Sequence, residues 1–267
     1  MSRAPIGIFD SGVGGLTVLS ALRRRLPGED FVYLGDTARL PYGTKSAATV
    51  QRYAVNAAAH LAEHGIKLLV VACNTASSYA LDALQTALPV PVVGVVEPGV
   101  RAAVATGAQR IGVIGTEGTV RSGAYQRTLA ARAPAVEVEA AACPLLVPLA
   151  EEGWGDHPVT DQVARHYLAP LLAWGAQTLI LGCTHYPLLR PSLQRVVGTG
   201  VRLVDSADAV ADTVAGDHAD LMAAPGAGGG VRLELTDASD RFLRITREIL
   251  GGDPEHLEVV DLDRVRP

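Results

Sequence analysis

Short, almost uninterrupted apolar runs alternate with stretches of helical periodicity along most of this chain, and that alternation constrains its fold more than any other feature. The runs at 5–10, 31–36, 68–74, 92–96, 110–116, 178–183 and 201–205 are rich in Val, Ile and Leu and do not alternate apolar with polar residues. A strand of that kind has both faces covered, as in a parallel sheet packed between helices. Helical patterns at 46–64, 75–88 and 159–174 separate the runs, so the chain reads as successive βαβ units. The expected fold class is α/β, with mostly parallel sheets flanked by helices.

The chain also resembles itself. Ile6-Gly-Ile-Phe-Asp-Ser-Gly aligns with Ile111-Gly-Val-Ile-Gly-Thr-Glu-Gly. Leu69-Val-Val-Ala-Cys-Asn-Thr aligns with Leu179-Ile-Leu-Gly-Cys-Thr-His, and Val93-Gly-Val-Val-Glu with Val201-Arg-Leu-Val-Asp. Internal similarity over this period predicts two similar lobes with a cleft between them. The expected division is residues 1–97 plus 207–267 for the first lobe and 98–206 for the second. The tail from 207 carries strand-like runs at 231–236 and 257–262 and packs back on the first lobe, with a flexible turn at 225–230.

Composition excludes several classes of partner. Twenty-three Lys and Arg against 28 Asp and Glu leave a net charge of −5, and aromatics are 4%. Such a chain has no basic face for nucleic acid or an anionic membrane, and few platforms for base stacking. No apolar stretch is long enough to span a bilayer. No leader precedes the first strand, so the expected location is the cytoplasm. Three scattered cysteines form no disulfide framework and are expected as free thiols. With only two lysines, Lys45 and Lys67, neither placed for a Schiff base, a pyridoxal cofactor is not expected.

Ligands of open α/β sheets bind beyond the carboxyl ends of the strands, and four such ends carry unusual residues. Asp10-Ser11-Gly-Val-Gly-Gly15 offers backbone N–H groups and the start of a helix to an anion. Gly35-Asp-Thr-Ala-Arg-Leu-Pro41-Tyr42-Gly43 offers a loop with backbone donors and one hydroxyl. Cys73-Asn74-Thr75 and Cys183-Thr184-His185 each place a thiol at the end of a buried strand, followed by polar residues that open a helix. A helix N-terminus favours the thiolate. Lowering a thiol pKa by about 1.5 units corresponds to roughly 2 kcal/mol, and nearby carboxylates oppose it. Cys143, followed by Pro144 and an apolar run, is expected to be structural.

If the two lobes face each other, the paired thiols flank one cleft. Opposed thiols suit inversion at a carbon acid, with a thiolate removing the Cα proton on one face and a thiol delivering one on the other. Fixed donors must stabilise the carbanion-like transition state. Ser11, Asn74, Thr75, Thr184 and backbone N–H groups are the candidates.

Asp10-Ser-Gly-Val-Gly-Gly, Gly35-Asp-Thr, Pro41-Tyr-Gly, Cys73-Asn-Thr-Ala and Gly182-Cys-Thr-His-Tyr-Pro resemble the motifs of the aspartate/glutamate racemase family, on its glutamate-specific branch. The resemblance runs from Ile6 to at least Asp205. It implies cofactor-independent interconversion of L-glutamate and D-glutamate, supplying D-glutamate for bacterial peptidoglycan. It implies Cys73 and Cys183 as the catalytic acid and base, with Asp10, His185 and Glu151 tuning the thiols. Substrate contacts carried over by it are Asp10, Ser11, Pro41, Tyr42, Gly43, Asn74, Thr75, Thr184 and His185. It also implies the site between two α/β domains, a homodimer, and no metal. Three rival readings stand beside it: an aspartate or other amino-acid racemase, a two-lobed amino-acid binding protein that does not need the thiols, and a zinc hydrolase using Cys73, Cys183 and His185. The last lacks the close-spaced ligand pairs of zinc sites.

Overall fold

The computed structural model describes residues 4–223, 229–254 and 256–262. The first half of the chain runs β1 (Ile6–Asp10), α1 (Leu16–Arg25), β2 (Phe31–Gly35), α2 (Ala47–Glu63), β3 (Leu68–Val71), α3 (Asn74–Ala87), β4 (Val92–Gly94) and α4 (Val96–Val104). A second series follows with β5 (Arg110–Gly115), α5 (Glu117–Ser122), α6 (Ala124–Arg132), β6 (Glu137–Ala142), α7 (Leu146–Glu151), α8 (Pro158–Trp174), β7 (Thr178–Gly182), α9 (Arg190–Val197) and β8 (Arg202–Asp205). The chain closes with α10 (Ser206–Asp217), β9 (Val231–Leu235), α11 (Asp240–Leu250) and β10 (Leu257–Val259).

Two sheets result, in the orders β10-β9-β2-β1-β3-β4 and β6-β5-β7-β8, and every strand pair in both is parallel. The repeat seen in the sequence is therefore a repeat of topology, because β2-β1-β3-β4 has the same order as β6-β5-β7-β8. The partner of β2 in this scheme, β6, escapes the sequence pattern. Its Glu137-Val-Glu-Ala-Ala-Ala142 is weak in β-formers and lies at a sheet edge with Glu137 and Glu139 turned to solvent, where pairing tolerates charge. The tail returns to the first sheet as expected, with β9 beside β2 and β10 beside β9. Of the glycine-rich turn, residues 225–228 lie outside the described residues.

Each sheet is buried on both faces. One face of the first sheet packs on α1 and α10 through Leu16, Leu19, Leu22, Val210 and Val214, and the other on α2 and α3 through Val50, Ala54, Leu61, Ala80 and Leu84. The second sheet is covered by α8 and α9 on one side and by α4 and α6 on the other. The central strands are thus apolar for the reason their sequence suggests. In both sheets the strand order reverses between the first and third strands of the unit, β1 and β3 in one and β5 and β7 in the other. The crevice at the carboxyl ends of such a pair is where open α/β sheets take ligands.

A buried ion pair anchors the returning segment. Lys67, just before β3, stands 2.5 Å from Glu29, and both side chains are nearly inaccessible. The second oxygen of Glu29 accepts the backbone N–H of Ala223. Lys67→Met leaves that carboxylate buried without its cation and is expected to destabilise the fold by about 3–5 kcal/mol. Urea unfolding checks this, and the double variant Lys67→Met/Glu29→Gln is expected to recover most of the loss.

Candidate active site

The carboxyl ends of the two central strand pairs face each other across a cavity of ≈ 520 Å³. Ser11, Cys73, Asn74 and Thr75 line it from the first sheet, and Cys183, Thr184 and His185 from the second. Pro41, Tyr42, Gly43 and Glu151 complete the set expected from sequence that reaches the wall. Asp10 does not reach it.

Asp10 ends β1 and is fully buried. One of its carboxylate oxygens accepts the N–H of Gly12 at 2.9 Å, and the other lies 3.4 Å from the Thr184 hydroxyl across the cleft. Gly15 donates to it as well. The carboxyl group at the start of α1 is therefore the protein's own Asp10, and the glycine turn expected to cradle a ligand cradles this side chain instead. Burial pushes it above the usual carboxylate range, against the opposing effects of His185 and of the bonds from Gly12, Gly15 and Thr184. The glycines serve close approach between protein parts. A Cβ on Gly14 would come 2.5 Å from the Thr184 hydroxyl and 2.7 Å from Nδ1 of His185, and a Cβ on Gly15 would meet Asp10 itself at 2.5 Å.

The two cysteines occupy related but unequal positions. Neither is the last residue of its strand, since β3 ends at Val71 and β7 at Gly182. Cys73 is the N-cap of α3, its sulfur accepting the Ala76 N–H at 3.5 Å and donating to the Ser11 hydroxyl at 3.3 Å. The helix start does not make it a thiolate. Burial pushes the Cys73 thiol up to about 12, Asp10 adds to the rise, and the bonds from Ser11 and Ala76 only partly oppose it. The expected lowering is thus outweighed by desolvation and by a carboxylate, and Cys73 is held as a neutral thiol.

No α-helix opens at Cys183. A short 3₁₀ turn, Tyr186–Leu189, follows instead, and the charge beside the sulfur comes from a side chain. Nδ1 of His185 lies 3.8 Å from Sγ of Cys183, and its Nε2 lies 3.4 Å from Oε1 of Glu151. The second contact is an ion-pair distance without hydrogen-bond alignment. Burial works against the charged imidazole, but Cys183 and Glu151 together raise His185 to about 10. Glu151 is in turn held below the usual carboxylate range, as His185 and Arg241 outweigh its desolvation.

Several polar groups expected to face a ligand are engaged with the protein. The Tyr42 hydroxyl donates to Asp36 at 2.5 Å, so the Pro-Tyr-Gly loop offers backbone and not that hydroxyl. The Asn74 amide donates to the Tyr125 hydroxyl at 2.7 Å. Thr75 shares a hydroxyl cluster with Thr116 at 2.9 Å and Thr119 at 3.2 Å. Thr116 was not anticipated from the motifs, yet the repeat carries its signal: aligning Ile6 with Ile111 sets Thr116 opposite Ser11. The same alignment sets Gly115 opposite Asp10, which accounts for one sheet end bearing a carboxylate and the other not. Asp237 and Phe242 also line the cavity, and no local motif marks them. Cys143 is fully buried in the core of the second sheet, as expected of a structural cysteine.

Neither lysine lines the cavity. Among the described residues, the group with metal-ligand spacing is His60, His64 and Glu234. It joins the end of α2 and its C-cap to β9, and the imidazoles stand 2.7 and 3.0 Å from the Glu234 carboxylate. Cys73, Cys183 and His185 do not form such a group.

Two facing parallel-sheet units with a thiol on each wall of the cleft define a class of enzyme, and comparison with known proteins agrees. Residues 13–214 match the family described as Asp/Glu/Hydantoin racemase, and the chain belongs to that family. Glutamate racemase from Geobacter metallireducens is 53% identical over 92% of this chain and 93% of its own length. The crystal structure of glutamate racemase from Francisella tularensis in complex with D-glutamate has a TM-score of 0.92 at 36% identity, covering 98% of this chain and 99% of that one. Glutamate racemase from Thermus thermophilus in complex with beta-chloro-D-alanine has a TM-score of 0.86 at 48% identity, covering 98% of each chain.

The unequal thiols predict unequal reactivity. With Cys143 and Cys183 replaced by Ser, Cys73 at pH 8 is expected to alkylate about 10³-fold more slowly than a free thiol, from its thiolate fraction alone. Adding Asp10→Asn removes a charge that raises this pKa and is expected to speed labelling about tenfold, whereas Ser11→Ala slows it. Rates with iodoacetamide across pH 7–10 check both signs, and a common direction for the two variants contradicts the assignment.

Proposed function

We propose that this protein is a glutamate racemase, an isomerase that interconverts L-glutamate and D-glutamate without a cofactor and supplies D-glutamate for peptidoglycan. The observation that carries the reading is the presence of Cys73 and Cys183 on opposite walls of one cavity, at equivalent strand ends of two repeated sheets.

In the L-to-D direction, Cys183 is the base and Cys73 the acid. Cys183, with Nδ1 of His185 3.8 Å from its sulfur, takes the Cα proton. Cys73, held neutral by burial and Asp10, delivers its own proton to the opposite face. Two thiols with unlike neighbours, Asp10 and Ser11 on one side and His185 on the other, divide the acid and base roles. After one turnover the proton inventory is reversed, with Cys183 protonated and Cys73 ionised, which is the state required for D-to-L conversion. The Thr75–Thr116–Thr119 hydroxyl cluster and the backbone around Asn74, Thr75 and Thr184 supply fixed dipoles for the substrate carboxylates and the developing negative charge. Asp10 acts from behind the wall by tuning Cys73 and holding Thr184.

The folding units that carry the two walls are residues 1–97 with 207–267, and 98–206. The protein works as a homodimer in the cytoplasm, with no nucleic acid or membrane partner. Exposed Leu145, Trp154 and Val159 around α7 and the start of α8 support an apolar contact face. No helix among the described residues is long and apolar enough to cross a membrane.

Incubation with L-glutamate in D₂O with EDTA and no added cofactor, beside L-aspartate, tests the reading. Loss of circular dichroism with deuterium entering Cα is expected for glutamate alone; no change in folded protein overturns it in favour of a binding protein. The equilibrium constant between enantiomers is unity, so kcat/KM must be equal in the two directions for any variant. Asymmetry between the cysteines is therefore read from exchange. Cys73→Ser is expected to keep deuterium wash-in from L-glutamate and lose it from D-glutamate, and Cys183→Ser to do the reverse.

A further inference from the structure

We propose that Arg241 is a positioning residue of this active site, binding Glu151 across the cleft and thereby holding His185 against Cys183. The kinetic consequence rests on the racemase reading above, while the contact itself does not.

A continuous line of side chains runs inward from the surface. Nη2 of Arg241 lies 3.3 Å from Oε2 of Glu151 and 3.0 Å from Oε1 of Glu152. The other Glu151 oxygen lies 3.4 Å from Nε2 of His185, whose Nδ1 faces Sγ of Cys183 at 3.8 Å. Glu151 is on the cavity wall and largely buried, and Arg241 is the outermost, more exposed member. The arginine's Nε is buried with no hydrogen-bond partner, so its guanidinium is placed by the two carboxylates at the Nη2 end.

The elements that carry this line belong to different sheets. Arg241 is on α11, whose Phe242 packs into the core of the first sheet and also lines the cavity. Three residues before the helix, Asp237 exchanges hydrogen bonds with the Thr37 hydroxyl through its N–H at 2.8 Å and its C=O at 2.6 Å. Glu151 ends α7, which packs on the second sheet. Arg244, one turn along α11, donates to the backbone carbonyl of Glu151 at 3.3 Å. The returning C-terminal segment thus reaches over the cleft and grips the helix that carries the carboxylate.

Glu151 needs such a grip. A glutamate has three rotatable bonds, and a carboxylate with one oxygen unpaired is drawn toward water and away from a histidine that it meets at ion-pair distance only. Pairing the second oxygen with a fixed cation leaves one orientation in which both partners are satisfied. Arg241 also favours the ionised carboxylate, against burial. The titratable and charged groups around Glu151 are His185 and Cys183 from the turn after β7, Arg241 and Arg244 from α11, and Glu152 on its own helix.

The test compares Arg241→Gln and Arg241→Lys in full-length protein. The His185 signal of ¹⁵N-histidine-labelled protein, identified by its loss in His185→Asn, is titrated without substrate. Arg241→Gln is expected to lower the His185 pKa by about one unit, because the carboxylate swings away, and Arg241→Lys to restore it. In the glutamate assay, kcat is expected to fall about tenfold in Arg241→Gln with KM changed less than about threefold, as for a group that acts on the chemical step. An unchanged His185 titration overturns the proposal. A raised value does so too, since it would mean that Arg241 acts only as a charge opposing the imidazolium. If the wild-type protein fails to racemise glutamate, the functional reading falls while the titration still decides the role of Arg241.

Discussion

One buried carboxylate organises this molecule. Asp10 ends the central strand of the first sheet with no exposure to water, and a charge so placed must be satisfied by the protein. The Asp-Ser-Gly-Val-Gly-Gly turn does this by folding its own N–H groups onto the side chain, and Thr184 from the second sheet completes the shell. Three consequences follow from that single requirement. The turn must be glycine-rich where it closes on Asp10 and where it passes Thr184 and His185. The two sheets are held together at the base of the cleft. The thiol of Cys73, close to a negative charge in a dry environment, keeps its proton.

The pseudo-symmetry of the fold is then broken where chemistry requires it. A duplicated sheet unit would present two like thiols to the cavity, and two like thiols would compete to be acid or base. Gly115 stands where a second Asp10 would be, and His185 stands where the first unit has Thr75. One cysteine consequently has a carboxylate and a helix start as neighbours, and the other an imidazolium backed by Glu151 and Arg241. The helix start is overwhelmed by burial at Cys73, and no α-helix opens at Cys183, so the side chains beside each sulfur distinguish the two sites.

The C-terminal segment joins this arrangement through the first sheet. Tyr42 is bonded to Asp36, and Asp36 accepts the hydroxyl of Thr236 at 3.0 Å, so the Pro41-Tyr42-Gly43 wall and strand β9 are held by one carboxylate. From there the chain passes through Asp237 to α11, which supplies Phe242 to the cavity and Arg241 to Glu151. A tail that adds strands β9 and β10 to one side of the first sheet thereby contributes to the wall of a site whose reacting groups lie far from it in sequence.

Much of this was legible in the order of residues alone. Continuous apolar runs at strand spacing determine a parallel α/β fold because burial on both faces leaves no polar positions, and the repeat of Cys-Asn-Thr as Cys-Thr-His determines that two thiols occupy equivalent strand ends. Thr116 was legible too, through its alignment with Ser11. Strand β6 was not, since an edge strand of Glu and Ala has no apolar signature. Only the tertiary structure decided which groups lie next to which sulfur, that Asp10 stands behind the wall and not on it, that the Tyr42 hydroxyl is turned to Asp36, and that Arg241 reaches Glu151. The reason is physical: secondary structure follows from local periodicity and burial, but a pKa depends on desolvation and on charges brought within a few ångströms by distant parts of the chain.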